Sequence, residues 1–141
     1  MMRIEDSIEI SRPPEPVFAY LTDPEHLPEW QTSTVEVHRD RNGPLEVGER
    51  FREVHAAMGK KLESTVEVAE SSAPSAFALK ILDGPMPLDG RWTFEPAGDG
   101  TRIHFVGEAN VSGPKKLARP LLARQFRGYH QLLKKRLEGS S

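Results

Sequence analysis

Apolar and polar positions alternate along most of this chain, and the alternation gives way to a longer period only at its end. Ile4, Ile8 and Ile10 share one parity, and Arg3, Glu5, Ser7 and Glu9 the other, which predicts a half-buried first strand. Pro13-Pro14 ends that run. Pro14 suits a first helical position, where no amide donor is needed, so Val17, Phe18 and Leu21 become the apolar face of a short helix. Asp23-Pro24 stops it and opens a second short helix from Pro24 to Trp30. From Ser33 onward, strand patterns recur between turn residues. They are Val35 and Val37; Arg50 to Ala57 after Asn42-Gly43-Pro44; and Leu62, Val66 and Val68 after Met58-Gly59-Lys60. Phe77, Leu79 and Ile81 follow, then Leu88, Trp92 and Phe94 after Asp83-Gly84-Pro85, and Thr101, Ile103 and Phe105 after the turn from Pro96 to Gly100. Connections this short imply antiparallel pairing.

Pro114 to Glu138 reads as one amphipathic helix, roughly 36 Å long at the usual rise per residue. Ala118, Leu122, Phe126, Tyr129, Leu133 and Leu137 form a stripe on one of its faces. A sheet must curl to cover such a helix, and the hollow left by that curl is where function is expected. Pro120 should kink the helix or mark a break, because it removes one backbone bond and crowds the preceding turn.

Composition narrows the classes. The chain has 141 residues, 37% of them hydrophobic, which fits a single domain spanning residues 1–138, with Gly139-Ser140-Ser141 as a flexible tail. A formal net charge of -2 argues against a nucleic-acid binder, and the lack of cysteine removes disulfides, thiolate metal sites and thiol nucleophiles. No stretch reaches membrane-spanning length and the first residues lack a signal-peptide core, so a cytoplasmic protein without membrane insertion is expected. Alternating strand–helix crossovers are missing, which disfavours a nucleotide-binding α/β fold.

The order of elements, together with Ile8-x-Ile10, Pro14-x-x-Val17-Phe18, Asp23-Pro24 and Trp30, resembles the START-like (SRPBCC) superfamily. Phe94-Glu95-Pro96 followed by Gly98-Asp99-Gly100-Thr101-Arg102 is similar to the penultimate hairpin of its polyketide cyclase/dehydrase and lipid-transport family. Arg119-Pro120-Leu121-Leu122 resembles the start of that family's final helix. The resemblance covers essentially the whole chain. It implies an α+β helix-grip fold, a seven-stranded antiparallel sheet curled around a long C-terminal helix with a ligand cavity between them. Lipid carriers, hormone receptors, aromatic cyclases, oxygenase domains and chaperone activators share that fold, so it does not choose a reaction.

Strand parity nominates residues for the hollow. Arg50 and Arg52 should face water, which turns Phe51, Glu53, His55 and Ala57 inward. An acid and an imidazole on one strand face can orient a ligand or exchange protons with it. Tyr129, on the inward stripe, needs a partner for its hydroxyl, such as a ligand, a water or His55. Glu53, His55 and Tyr129 are therefore the polar candidates for binding and for any catalysis. The resemblance implies that Trp30, at the end of the second short helix, sits at the cavity mouth; the alternative is a core plug between helix and sheet. Phe77, Leu79, Trp92 and Phe126 are apolar lining candidates, and Met86, in the proline-stiffened segment from Leu82 to Asp89, is an adaptable contact in a loop that either gates the cavity or simply joins two strands.

His104 and Glu108 belong to the outward parity of the last strand, and His26 and His38 are expected to be exposed. The histidines show no convergent metal spacing, so neither a metal nor a cofactor is expected. The terminal helix carries Lys115, Lys116, Arg119, Arg124, Arg127, Lys134, Lys135 and Arg136, a solvated face or else a surface for an anionic membrane or acidic partner. Three functions follow. They are binding or transport of a small hydrophobic ligand such as a lipid, polyketide or aromatic metabolite; cyclase/dehydratase-like catalysis by cavity acid–base residues; and interaction with another macromolecule. Oligomeric state is left open.

Overall fold

The computed structural model describes residues 2–85, 87–111 and 113–139. Seven strands form one antiparallel sheet: β1 (Met2–Ile10), β2 (Thr34–His38), β3 (Arg50–Ala57), β4 (Lys60–Ser72), β5 (Ala76–Asp83), β6 (Asp89–Ala97) and β7 (Gly100–Ala109). Their spatial order is β1-β7-β6-β5-β4-β3-β2. The first two strands in sequence thus lie on opposite edges. Helices α1 (Pro14–Leu21) and α2 (Leu27–Trp30) connect those edges and close one end of the curled sheet.

Each element has a local cause. In β1, the even-numbered residues Ile4, Ile8 and Ile10 are buried, as the alternation requires. In α1, Pro14 occupies the start and Val17, Phe18 and Leu21 are buried; Thr22 Oγ1 donates to the Phe18 carbonyl at its end, 2.8 Å away. The second helix is shorter than the Pro24–Trp30 segment expected from sequence. Asp23 Oδ1 accepts a hydrogen bond from the Glu25 amide, which stabilises a local turn, and regular helix begins only at Leu27, with Pro28 in its first turn. The β3–β4 connection is a two-residue turn. Met58 and Gly59 both have positive φ, 52° and 77°, the geometry that matches the twist of paired strands. The sixth strand begins at Asp89; Leu88, assigned to it from sequence, is buried just before it.

The terminal segment divides at Pro120. A 3-10 turn, Gly113–Ala118, leads into α3 (Arg119–Glu138), so the expected break falls at a helix start, where proline loses no hydrogen bond, and α3 is about 30 Å long. The observed stripe also differs from the expected one. Tyr129, Leu133 and Leu137 are buried as foreseen, but so is His130, while Leu122, Phe126 and Ala118 are only half-buried. The helix packs on β1 and α2, at one side of the sheet. Irregularities of register in β4, at Thr65/Val66 and Val68/Glu70, bend the other side. Space therefore remains between the N-terminal half of α3 and the concave faces of β3 to β6. Behind that space sits an aromatic core: Trp92 lies 5.0 Å from Phe105 and 6.2 Å from Trp30, and Phe105 stacks on Phe126 at 4.8 Å.

Candidate functional site

The space is a cavity of about 380 Å³. One wall is apolar, made by Leu62, Leu79, Ile81, Leu88, Trp92, Leu122 and Phe126, and the other carries Gln31, Ser33, Glu53, His55, Ser64 and Tyr129. The polar wall follows from pairing. Glu53 and His55 are two residues apart on β3 and point the same way; Ser64, opposite Glu53 on β4, joins them. His55 Nε2 lies 3.1 Å from Ser64 Oγ and 3.9 Å from Glu53 Oε2. Gln31, the residue that ends α2, donates from Nε2 to Thr34 Oγ1 at 2.9 Å and to Glu53 Oε1 at 3.2 Å. From the opposite side Tyr129 donates its hydroxyl proton to Ser33 Oγ at 2.7 Å.

Burial governs the protonation of this wall. Glu53 is only 3% exposed, and its loss of hydration raises its pKa to about 7, against the weaker opposing effect of the Gln31 hydrogen bond. The same desolvation lowers the pKa of His55. It raises that of Tyr129, where the hydrogen bond to Ser33 works in the other direction. All three shifts favour the uncharged form. Below about pH 7 the wall is therefore a set of neutral donors and acceptors facing an apolar chamber.

The residues nominated from sequence separate here. Glu53, His55, Leu79, Trp92, Phe126 and Tyr129 line the cavity. Trp30 and Phe77 do not: they are buried behind it, in the contact between α2 and the sheet, and Trp30 Nε1 has no hydrogen-bond partner among the described residues. Met86 lies outside the described residues, and its neighbour Pro85 is on the lining. The Tyr129 hydroxyl is engaged by Ser33 rather than by His55. His26, expected to be exposed, is half-buried and stacked on Tyr20 at 4.4 Å. His38 is exposed, and His104 is held at the surface between Ser7 and Glu5.

Sequence reasoning missed one buried group altogether. His130, 1% exposed, receives the Trp92 indole proton on Nε2 at 3.0 Å, and its Nδ1 lies 2.8 Å from Asp6 Oδ2. An indole nitrogen only donates, so Nε2 must be the acceptor and the imidazole proton sits on Nδ1, directed at the carboxylate. Burial alone would raise the Asp6 pKa; the hydrogen bond from His130, helped by the Ser7 amide and the nearby Arg127 charge, outweighs it, and the net shift is downward. The chain of three fixes the plane of Trp92, one wall of the cavity. Its signals were in the sequence: His130 lies four residues after Phe126 and three before Leu133, and Asp6 shares the inward parity of Ile4 and Ile8. Gln31 and Ser33, by contrast, lie in a connection without periodicity.

A larger groove, of about 880 Å³, runs outside the fold between α1 and the C-terminal end of α3. It opens to solvent, and Tyr20 at its wall already donates to Glu29 at 2.6 Å. The cavity beneath α3 is the stronger candidate because it combines an apolar wall with a buried acid. Among the described residues, no helix is long and apolar enough to cross a membrane.

Residues 1–138 match the family model described as polyketide cyclase / dehydrase and lipid transport. The fold recurs in solved structures. TTHA0849 from Thermus thermophilus is 23% identical over 99% of both chains, with a TM-score of 0.79. A START superfamily protein from Mycobacterium smegmatis is 15% identical over 100% of both, with a TM-score of 0.80. DynU16, a protein in the dynemicin biosynthetic locus, is 15% identical; the match covers 98% of this chain and 48% of that one, with a TM-score of 0.73. At such identities the likeness speaks for the fold alone. No curated protein matches the chain.

Proposed function

The chain belongs to the polyketide cyclase/dehydrase and lipid transport family of the START-like superfamily, and we propose that it binds a small hydrophobic ligand in the cavity between α3 and the sheet. The observation that carries this reading is the division of one internal chamber into an apolar wall and a polar wall that includes buried Glu53. Apolar burial supplies affinity, at roughly 25 cal/mol per Å² before the costs of association, and the few polar groups supply orientation. Native mass spectrometry of the freshly purified protein tests it. A retained apolar molecule is expected, and it should be lost when Leu79→Trp fills the chamber. A protein that is always empty and takes up no apolar probe would refute the reading.

A second reading, acid–base catalysis on the bound molecule, is favoured by Glu53. A carboxyl with a pKa of about 7 is poised to give and take a proton near neutral pH, with Tyr129 and His55 on the same wall. Turnover abolished in Glu53→Gln while ligand binding persists would support catalysis over simple carriage.

A further inference from the structure

The polar wall holds a buried acid and no cation. Among the described residues, no lysine or arginine lines the cavity. Arg124 is exposed on the outer side of Tyr129, in a shallow groove that shares Ser33, Gln125 and Tyr129 with the cavity, and does not itself line the chamber that holds Glu53. The groups facing Glu53 are His55 on its own strand, Ser64 on β4, Gln31 at the end of α2 and Tyr129 on α3; of these only His55 and Tyr129 titrate. Gln31 donates to Glu53 Oε1, so an acid proton belongs on Oε2, which is too far from His55 Nε2, at 3.9 Å, for a hydrogen bond. Tyr129 spends its proton on Ser33, and its oxygen is approached by the Ser33 amide and the Gln125 side chain, so it offers no proton to a ligand.

We propose that the cavity selects uncharged aromatic ligands bearing a carbonyl oxygen, which accepts a hydrogen bond from the Glu53 carboxyl, and rejects the matching carboxylates. This rests on the cavity being the ligand site. A ligand carboxylate would leave water to meet an acid with no countercharge in the chamber, whereas a ketone oxygen can accept the Oε2 proton without bringing charge into it. Phe126, half-buried and stacked on Phe105 by one face, leaves ring surface for an aromatic frame beside the largely buried Trp92.

Three probes with one skeleton test the selection: phenanthrene, 2-acetylphenanthrene and phenanthrene-2-carboxylate, titrated by calorimetry against the wild-type protein and Glu53→Gln at pH 6 and pH 8.5. At pH 6 the ketone should bind at least about tenfold more tightly than the carboxylate, the factor that separates a satisfied from an unsatisfied polar group. The ketone's advantage over phenanthrene should shrink at pH 8.5 in the wild type, where Glu53 loses its proton. It should persist in Glu53→Gln, whose amide donates at both pH values. Binding of phenanthrene with no preference for ketone over carboxylate, or a ketone advantage in the wild type that ignores pH, overturns the selection and leaves the cavity reading standing. Failure of all three probes overturns both.

Discussion

The indole of Trp92 on β6 and the imidazole of His130 on α3 meet across the sheet–helix interface, Nε1 donating to Nε2 at 3.0 Å in the buried core. His130→Leu leaves the indole proton unpaired and removes the bond to Asp6. It should cost about 2–4 kcal/mol in urea denaturation. A double-mutant cycle with Trp92→Phe should return a coupling of about 1 kcal/mol or more, and additive losses would show that the contact contributes little.

Asp6 carries the acid sensitivity of this chain of bonds. Its pKa is depressed in the folded protein, so its stabilisation is complete above the unfolded value of 3.8 and is lost as the pH falls through the lower folded value. Asp6→Asn keeps an acceptor for His130 and lacks that titration. The gap in stability between wild type and variant, followed by denaturation from pH 6 downward, should narrow below about pH 4.

Glu53 has the opposite sign. Its folded pKa, about 7, lies above the ordinary 4.5, so the native state holds the proton more tightly and stability falls as the pH rises between those values. For so buried a group the full effect is roughly 3 kcal/mol. Glu53→Gln should therefore be more stable than wild type at pH 8 and close to it at pH 4.5. Parallel melting curves at the two pH values would contradict a raised pKa.

Tyr129→Phe deletes one hydrogen bond, to Ser33, while keeping the ring at the cavity wall. A stability loss of about 1 kcal/mol is expected. Ser33→Ala should give a similar loss, and the double variant little more than either alone, because both single changes break the same bond.

Gly90 on β6 lies opposite Gly107 on β7, and the pair makes room for aromatic rings. A Cβ on Gly90 would come within 3.0 Å of both Phe105 and Trp92. Gly90→Ala should destabilise the protein by about 1–3 kcal/mol and weaken binding of an apolar probe, since the rings must yield into the cavity. Unchanged melting and probe affinity would show that the rings relax freely.

Periodicity in the sequence was enough to determine most of the fold, because strand and helix patterns arise from side chains that alternate between core and water in a local frame. Ile4, Ile8 and Ile10 on β1, Val66 and Val68 on β4, and Tyr129, Leu133 and Leu137 on α3 are buried where their spacing places them. The inward parity of Glu53 and His55 was legible for the same reason. Tertiary structure decided which inward residues meet empty space and which meet other side chains: Trp30 and Phe77 share their character with Leu79 and Trp92, yet only the latter two border the cavity, because α3 leans on β1 and α2 fills the closed end. It also decided the partners. Gln31 reaches Glu53 across 22 positions, Tyr129 reaches Ser33 across 96, and Asp6 reaches His130 across 124. No local pattern encodes such pairings, since each depends on how sheet curl and helix placement bring distant segments within the reach of a hydrogen bond.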